Sequence, residues 1–244
     1  MLKLKYIFKL QISITIAEHN YYICFDQFTC MSNLNTKPEK TRIRLLNAAS
    51  RIFAEKGFQD ATIAEICGQA KANIASVNYH FRDKETLYLE SWRFAFNHEL
   101  TLYPPDGGLT SDAPAEQRLA ERIKSLVSRM GDEKSYSFAI IHKEMAQPTR
   151  LLADILEKEI NPQRMQMFAL LKECLGHTAT EQQIQYCHAS IMGQCFQLLR
   201  LKHMQGARPF RSHPSDLSNT KAFAEHVVQF SLAGIEAIRS QTLN

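Results

Sequence analysis

Residues 41–88 read TRIRLLNAASRIFAEKGFQDATIAEICGQAKANIASVNYHFRDKETLY, and their punctuation decides the fold. Pro38, just upstream, suits a first helical turn, where its missing N–H is not needed. Leu45, Ala49, Ile52 and Phe53 then recur at i, i+4, i+7 and i+8, the stripe of an amphipathic helix, and Gly57 ends it. Thr62-Ile63-Ala64-Glu65 has the spacing at which a Thr hydroxyl and a Glu carboxylate satisfy each other's free backbone amides, which predicts a short helix over about 62–70. Asn73 caps the next, ending near Phe81, and Asp83 caps a fourth that runs through Trp92 and Phe96.

A longer helix followed by two short ones across a tight turn is the helix-turn-helix shape, whose second short helix can enter the DNA major groove. Within that helix Ile74, Val77 and Phe81 fall on an inward stripe at i, i+3 and i+7, and Ser76, Asn78, Tyr79 and His80 are expected to face outward. An Asn amide matches adenine bidentately, which makes Asn78 the best base-reader, while Ser76, Tyr79 and His80 suit bases or phosphates. No Lys or Arg stands between Lys71 and Arg82. Phosphate attraction must therefore come from the flanks, where Lys84 follows a helix cap and is expected to position rather than specify.

Outward from this stretch the remaining chain also reads as helix, so the fold class is all-α. Pro104-Pro105-Asp106-Gly107-Gly108 through Pro114 is a loop, since paired prolines and glycines cannot continue a helix. Leu119, Ile123, Leu126, Val127 and Met130 line a helix stopped by Gly131, and further helices are expected over about 135–146 and 149–160. Pro162 opens another that ends at Gly176. Thr180 to Gln183 repeats the capping-box pattern and starts a helix to about 204. A Gly/Pro/Ser loop, Gln205 to Asp216, precedes the final helix. Met145, Met165, Met167, Phe168, Tyr186 and Phe196, at helical spacings, are expected in the core.

Composition bounds the function without choosing it. An apolar fraction of 45% and a charged fraction of 22% are those of a folded globular chain, and a net charge of +4 permits an anionic partner without demanding one. Six cysteines without a C-x-x-C pair read as reduced thiols of a cytoplasmic protein, and no apolar run reaches the length of a membrane span. Every even position from Leu2 to Ile16 is apolar, the period of a strand, and no signal-peptide cleavage site follows. Residues 1–30 are expected to be an upstream extension ahead of Met31, with residues 1–37 outside the fold. His98-Glu99 begins a zinc-protease pattern, but position 102 is Leu. No nucleophile elbow, phosphate loop or dinucleotide fingerprint occurs. Catalysis, a metal site and a cofactor are accordingly not expected.

Residues 41–88 resemble the DNA-binding domain of the TetR/AcrR family of repressors. The resemblance rests on Leu46, Ala48, Ala49, Phe53 and Gly57, on Thr62 to Ile66, on Tyr79-His80-Phe81 and on Lys84-Glu85. It implies that Thr62, Tyr79, His80 and Lys84 sit where the family touches phosphates, and Ala75, Ser76 and Asn78 where it meets bases; Asn73 completes the DNA-binding set. Where the family usually has Gly in the turn, this chain has Lys71, so the turn is either built differently or carries left-handed strain. Lys143 to Thr149 and Ser190 to Cys195 resemble the branch with a CerR/CecR-type C-terminal domain.

The implied organisation is a TetR-like fold, with a three-helix DNA-binding domain over 38–88 and a helical effector-binding and dimerisation domain over 89–244. One reading helix contacts too few bases for selective binding, so a homodimer on a palindromic operator is expected. By resemblance the last two helices, about 181–204 and 218–239, pair with their symmetry mates, with Gly193 and Gly234 allowing close approach. The resemblance also implies a hydrophobic small-molecule effector and control of an efflux or transport operon; Phe138, His142, Met145, Phe168 and Gln194 are the candidate pocket residues. Two other readings stand beside this one: a helical protein–protein interaction module, and a metal- or thiol-responsive sensor using Cys187, Cys195 and nearby histidines such as His142, His188, His203, His213 and His226.

Overall fold

Gly57 has φ 78° and ψ 178°, a region open essentially to glycine alone, so α1 (Lys37–Asp60) breaks there as its sequence predicts. Among the described residues of this computed structural model, 36–203 and 219–242, there is no strand. Most of the expected N-terminal extension and the Gln205–Asp216 loop lie outside them, as do Cys24, Cys30 and His213. Beyond the break Phe58 stands edge-on to Tyr88 at 5.2 Å, and Phe53 does the same at 4.9 Å.

Three side-chain caps then start three helices in succession. Thr62 Oγ1 accepts from the Glu65 amide at 3.2 Å while the Thr62 amide donates to Glu65 Oε2 at 3.2 Å, opening α2 (Ile63–Ala70). Asn73 Oδ1 accepts from the Ala75 amide at 3.0 Å and opens α3 (Ile74–Phe81). Asp83 Oδ1 accepts from the Thr86 amide at 2.7 Å and opens α4 (Lys84–Leu102), a helix that continues unbroken through the expected 88/89 boundary.

The rest follows the predicted order, with one difference. After α5 (Ala115–Gly131) and α6 (Tyr136–Ala146), the chain enters α7 (Leu151–Ile155), which passes through a π-helical segment (Leu156–Ile160) into α8 (Asn161–Leu175). Two separate helices were expected around Pro162. Proline has no N–H for the usual bond to the fourth residue back, and the wider turn absorbs this: the Asn161 amide reaches the Leu156 carbonyl, five residues back. Thr180 and Gln183 form the predicted capping box before α9 (Glu181–His203), and Asn219 Oδ1 accepts from the Ala222 amide at 3.0 Å to start α10 (Thr220–Thr242). No helix of the described residues is long and apolar enough to cross a membrane.

The described residues from Arg44 onward form one compact unit that contains two apolar cores. The first packs α1 to α4 around Phe53, Tyr88 and Trp92, and takes in Ile140 and Ile141 from α6. The second joins α5, α8, α9 and α10 around Leu119, Ile123, Leu171, Cys195 and Val227, and takes in Phe138, also from α6. Helix α6 therefore contributes to both. A row of buried polar bonds ties it to α4: Tyr88 Oη donates to Glu144 at 2.7 Å, Trp92 Nε1 to the Ser137 carbonyl at 3.1 Å, and the Ser137 amide to Glu99 at 2.9 Å.

Arg129 of α5 lies 3.6 Å from Glu99, and its guanidinium is 5.0 Å from the ring centres of both Phe96 and Phe138. Its Nε and Nη2 find no hydrogen-bond partner among the described residues, and burial draws its pKa down against the pull of Glu99. Removing one partner of a buried ion pair leaves the other charge uncompensated. Arg129→Met is therefore expected to cost about 3–5 kcal/mol in urea unfolding, and adding Glu99→Gln to recover part of the loss; equal stability for the single variant and the parent would show that the pair contributes nothing.

Candidate nucleic-acid interface

The roll of α3 is set by two side chains. Val77 and Phe81 are each 1% exposed in the first core, and this turns Ala75, Asn78 and Tyr79 outward on one face. Ser76 and His80 stand half-buried at its borders, with the Tyr79 and His80 rings edge to face at 4.8 Å. Thr62 and Asn73 are exposed, but the Thr62 hydroxyl and the Asn73 Oδ1 serve their caps. The Thr62 cap is braced from outside: Lys56 Nζ lies 2.5 Å from Glu65, which holds the Glu65 carboxyl below its ordinary pKa.

Ile74 corrects the expectation of an inward stripe, because its side chain is 53% exposed. It is the first residue of α3, and the core that covers Val77 and Phe81 does not include it.

The turn before α3 resolves the alternatives left open for Lys71. Lys71 adopts the left-handed conformation, φ 49° and ψ 49°, and the Ala72 amide closes the end of α2 on the Cys67 carbonyl at 3.0 Å. The turn after α3 is tighter still. Arg82 has φ 68° and ψ −53°, and the Asp83 amide reaches the Phe81 carbonyl at 2.8 Å, which is a γ-turn of the rare positive-φ hand. Lys71 and Arg82 are both exposed, so two cations in strained backbone bracket the outward face. The sequence singled out Lys71 for its place in the turn, but marked Arg82 only as the limit of an uncharged stretch.

Lys84 is more constrained than expected. Its Nζ donates to the Gln59 carbonyl at 3.3 Å and lies 4.6 Å from the centre of the Phe58 ring, and burial holds its pKa below the usual lysine value. It braces the end of α1 against the start of α4.

The effector candidates do not gather around one described cavity. Phe138 is buried in the second core with Phe196 edge-on at 6.3 Å. Phe168 is half-buried against His188 at 4.9 Å, and Gln194 Nε2 donates to the Ser190 carbonyl of its own helix. His142 is half-buried, but Met145 is exposed, which removes it from a pocket wall in this structure; it lies in the last turn of α6, where the chain through Pro148 is exposed throughout. Met165 and Tyr186, expected in the core, are exposed as well. An open groove of about 670 Å³ lies elsewhere, lined by Tyr103, Lys124, Ser128, Asp132, Lys134 and Lys221 among others.

Among the described residues no three His, Cys, Asp or Glu side chains gather to hold a metal ion. Cys67, Cys174, Cys187 and Cys195 are buried thiols, and burial pushes Cys174 and Cys195 up to about 12. A thiol that stays protonated is a poor nucleophile.

Two family models match the chain. Residues 45–90 match bacterial regulatory proteins of the tetR family, and residues 115–235 match the C-terminal domain of the HTH-type transcriptional dual regulator CecR. Over 57 residues the chain is 40% identical to the HTH-type transcriptional regulator UidR of Escherichia coli K12, a match covering 23% of this chain and only 29% of that relative. CecR of Shigella flexneri is 26% identical over 169 residues, 65% of this chain and 75% of the relative. Among solved structures, a transcriptional regulator from Pseudomonas aeruginosa PAO1 superposes with a TM-score of 0.61 at 16% identity, covering 84% of this chain and 93% of that one. A TetR-like transcriptional regulator from Rhodococcus sp. RHA1 gives 0.57 at 12% identity, covering 80% and 96%. These two likenesses concern the fold alone.

Lys71→Gly is expected to raise stability by about 1 kcal/mol, because glycine adopts left-handed backbone without the penalty of a side chain; a lower melting temperature would show that Lys71 contributes contacts that outweigh the strain. The thiols give a pH signature. Between their ordinary value of 9.0 and about 12 the unfolded chain loses protons that folded Cys174 and Cys195 keep. Their contribution to stability is thus complete below pH 9 and is lost as pH rises through that window, and iodoacetamide at pH 8 should leave both unmodified until denaturant is added.

Proposed function

This chain belongs to the tetR family of bacterial regulatory proteins, and from that premise we propose that it is a homodimeric transcriptional repressor. In this reading α3 binds a palindromic operator and a small-molecule effector releases it. The observation that carries the proposal is the face of α3. A capped helix, pinned by Val77 and Phe81, turns Ala75, Asn78 and Tyr79 outward between two exposed cations, Lys71 and Arg82. Polar side chains to read base edges with basic flanks to hold phosphates are what a groove-binding helix requires.

The dimer is assigned to α9 and α10. Tyr186 and Phe230 are 62% and 61% exposed, and Gly193 and Gly234 have open space where a side chain would stand. Large apolar groups beside small ones are suited to packing against a symmetry mate. The effector is taken to be hydrophobic and to enter near Phe138, with His142, Phe168 and Gln194 further candidates. It acts by favouring a dimer geometry in which the two reading helices no longer meet successive major grooves, since only differential affinity shifts such an equilibrium. An efflux or transport operon is the proposed target, on family resemblance.

The test is binding to DNA from upstream of the chain's own gene, with salt as the variable. Affinity should fall steeply with salt, because phosphate contacts release counterions, and Arg82→Ala should lower the slope by about one contact. Asn78→Ala should cost about 1–3 kcal/mol of discrimination between operator and unrelated duplex. Phe230→Glu should yield monomers by sedimentation and weaken operator binding. If no duplex binds even in dilute buffer, the chain is instead a helical interaction module.

A further inference from the structure

We propose that Ile74 reads sequence: its side chain packs against the C5 methyl of a thymine in the major groove, one or two base pairs from the base met by Asn78. This inference rests on α3 being the DNA-reading helix. It starts from the large aliphatic side chain on α3 that the fold leaves half uncovered while burying Val77 and Phe81 almost completely; the other exposed large side chain of α3, Tyr79, carries a hydroxyl. Ile74 belongs to neither core, so packing within the chain does not account for it.

Its position accounts for it better. Ile74 and Asn78 are four residues apart and both exposed, and side chains at that spacing on a helix stand about 5–6 Å apart. Successive base pairs are about 3.4 Å apart, so the two side chains address bases one or two steps from each other. Ala75, exposed beside them, carries only a methyl group and lets the backbone approach the groove floor. Of the four bases only thymine presents a methyl group there, and apolar side chains are the complement to it. An isoleucine at this place thus gives a preference that the hydrogen-bonding residues cannot give.

Deoxyuridine lacks that one methyl and keeps every hydrogen-bonding group, which makes it the probe. Duplexes selected by the wild-type chain from a random pool are resynthesised with single thymines replaced by deoxyuridine. At one thymine per half-site the replacement should weaken wild-type binding about fourfold, the value of burying a single methyl-sized group. Ile74→Ala should bind the thymine duplex about fourfold more weakly and lose nothing further at that deoxyuridine. Alanine is a strong helix former at an exposed position, and an unchanged melting temperature would confirm the intact fold. Wild-type binding indifferent to every deoxyuridine in the half-site would overturn the inference, as would an Ile74→Ala chain that stays sensitive at the same position. If the wild-type chain selects no duplex, the reading of α3 as a DNA-binding element falls first and this falls with it.

Discussion

Helix α4 presents Tyr88, Trp92 and Glu99 to α6, and all three polar groups are shut away from water. A buried donor or acceptor without a partner costs about 1–3 kcal/mol, so each of the three bonds penalises any arrangement of the two helices that breaks it. They lie along one face of each helix, and sliding α6 past α4 by a single residue would break every one. The apolar parts of α6 add to the constraint, because Ile140 and Ile141 belong to the first core and Phe138 to the second. Val77 and Phe81 of α3 share that first core with Tyr88, Trp92, Ile140 and Ile141, so α3 packs on elements whose mutual register is set by polar bonds.

What was legible in the sequence is what is encoded over a few residues. Thr62 and Glu65 are three apart, as are Thr180 and Gln183, and Asn73 and Asp83 each cap the amides just ahead of them; Gly57 needs no partner to break a helix. Periodicity fixed the roll of α3 through Val77 and Phe81. It failed for Ile74 because a helical period gives an angle and says nothing of how far along the axis the covering core extends. Lys84 looked like a phosphate arm, since nothing local announces that Gln59, 25 residues earlier, offers a carbonyl. Arg129 with Glu99, and Met145 at the bare end of α6, were illegible for the same reason. The π segment was hidden otherwise: Pro162 marked a break, but whether a chain stops or widens its turn at proline is settled by packing on both sides.

Lys71 and Arg82 hold positive φ without being glycine, and such residues persist only where the surroundings over-determine them. Here those surroundings are the caps and the buried pair Val77 and Phe81. The strain restricts the freedom of α3 at both ends, so in the proposed DNA-reading role little ordering would be left to be done on binding. That is preorganisation, reached here with two exposed basic residues.

The γ-turn at Arg82 leaves no slack between α3 and α4. With 19 residues at about 1.5 Å of rise each, α4 is a rod of about 28 Å with α3 fastened to its near tip. A swing of roughly 7° about its far end displaces that tip by about 3.4 Å, the height of one step in the DNA ladder. In the proposed reading, α4 is thus the lever by which a small rotation at its far end becomes a misfit of one base step at α3.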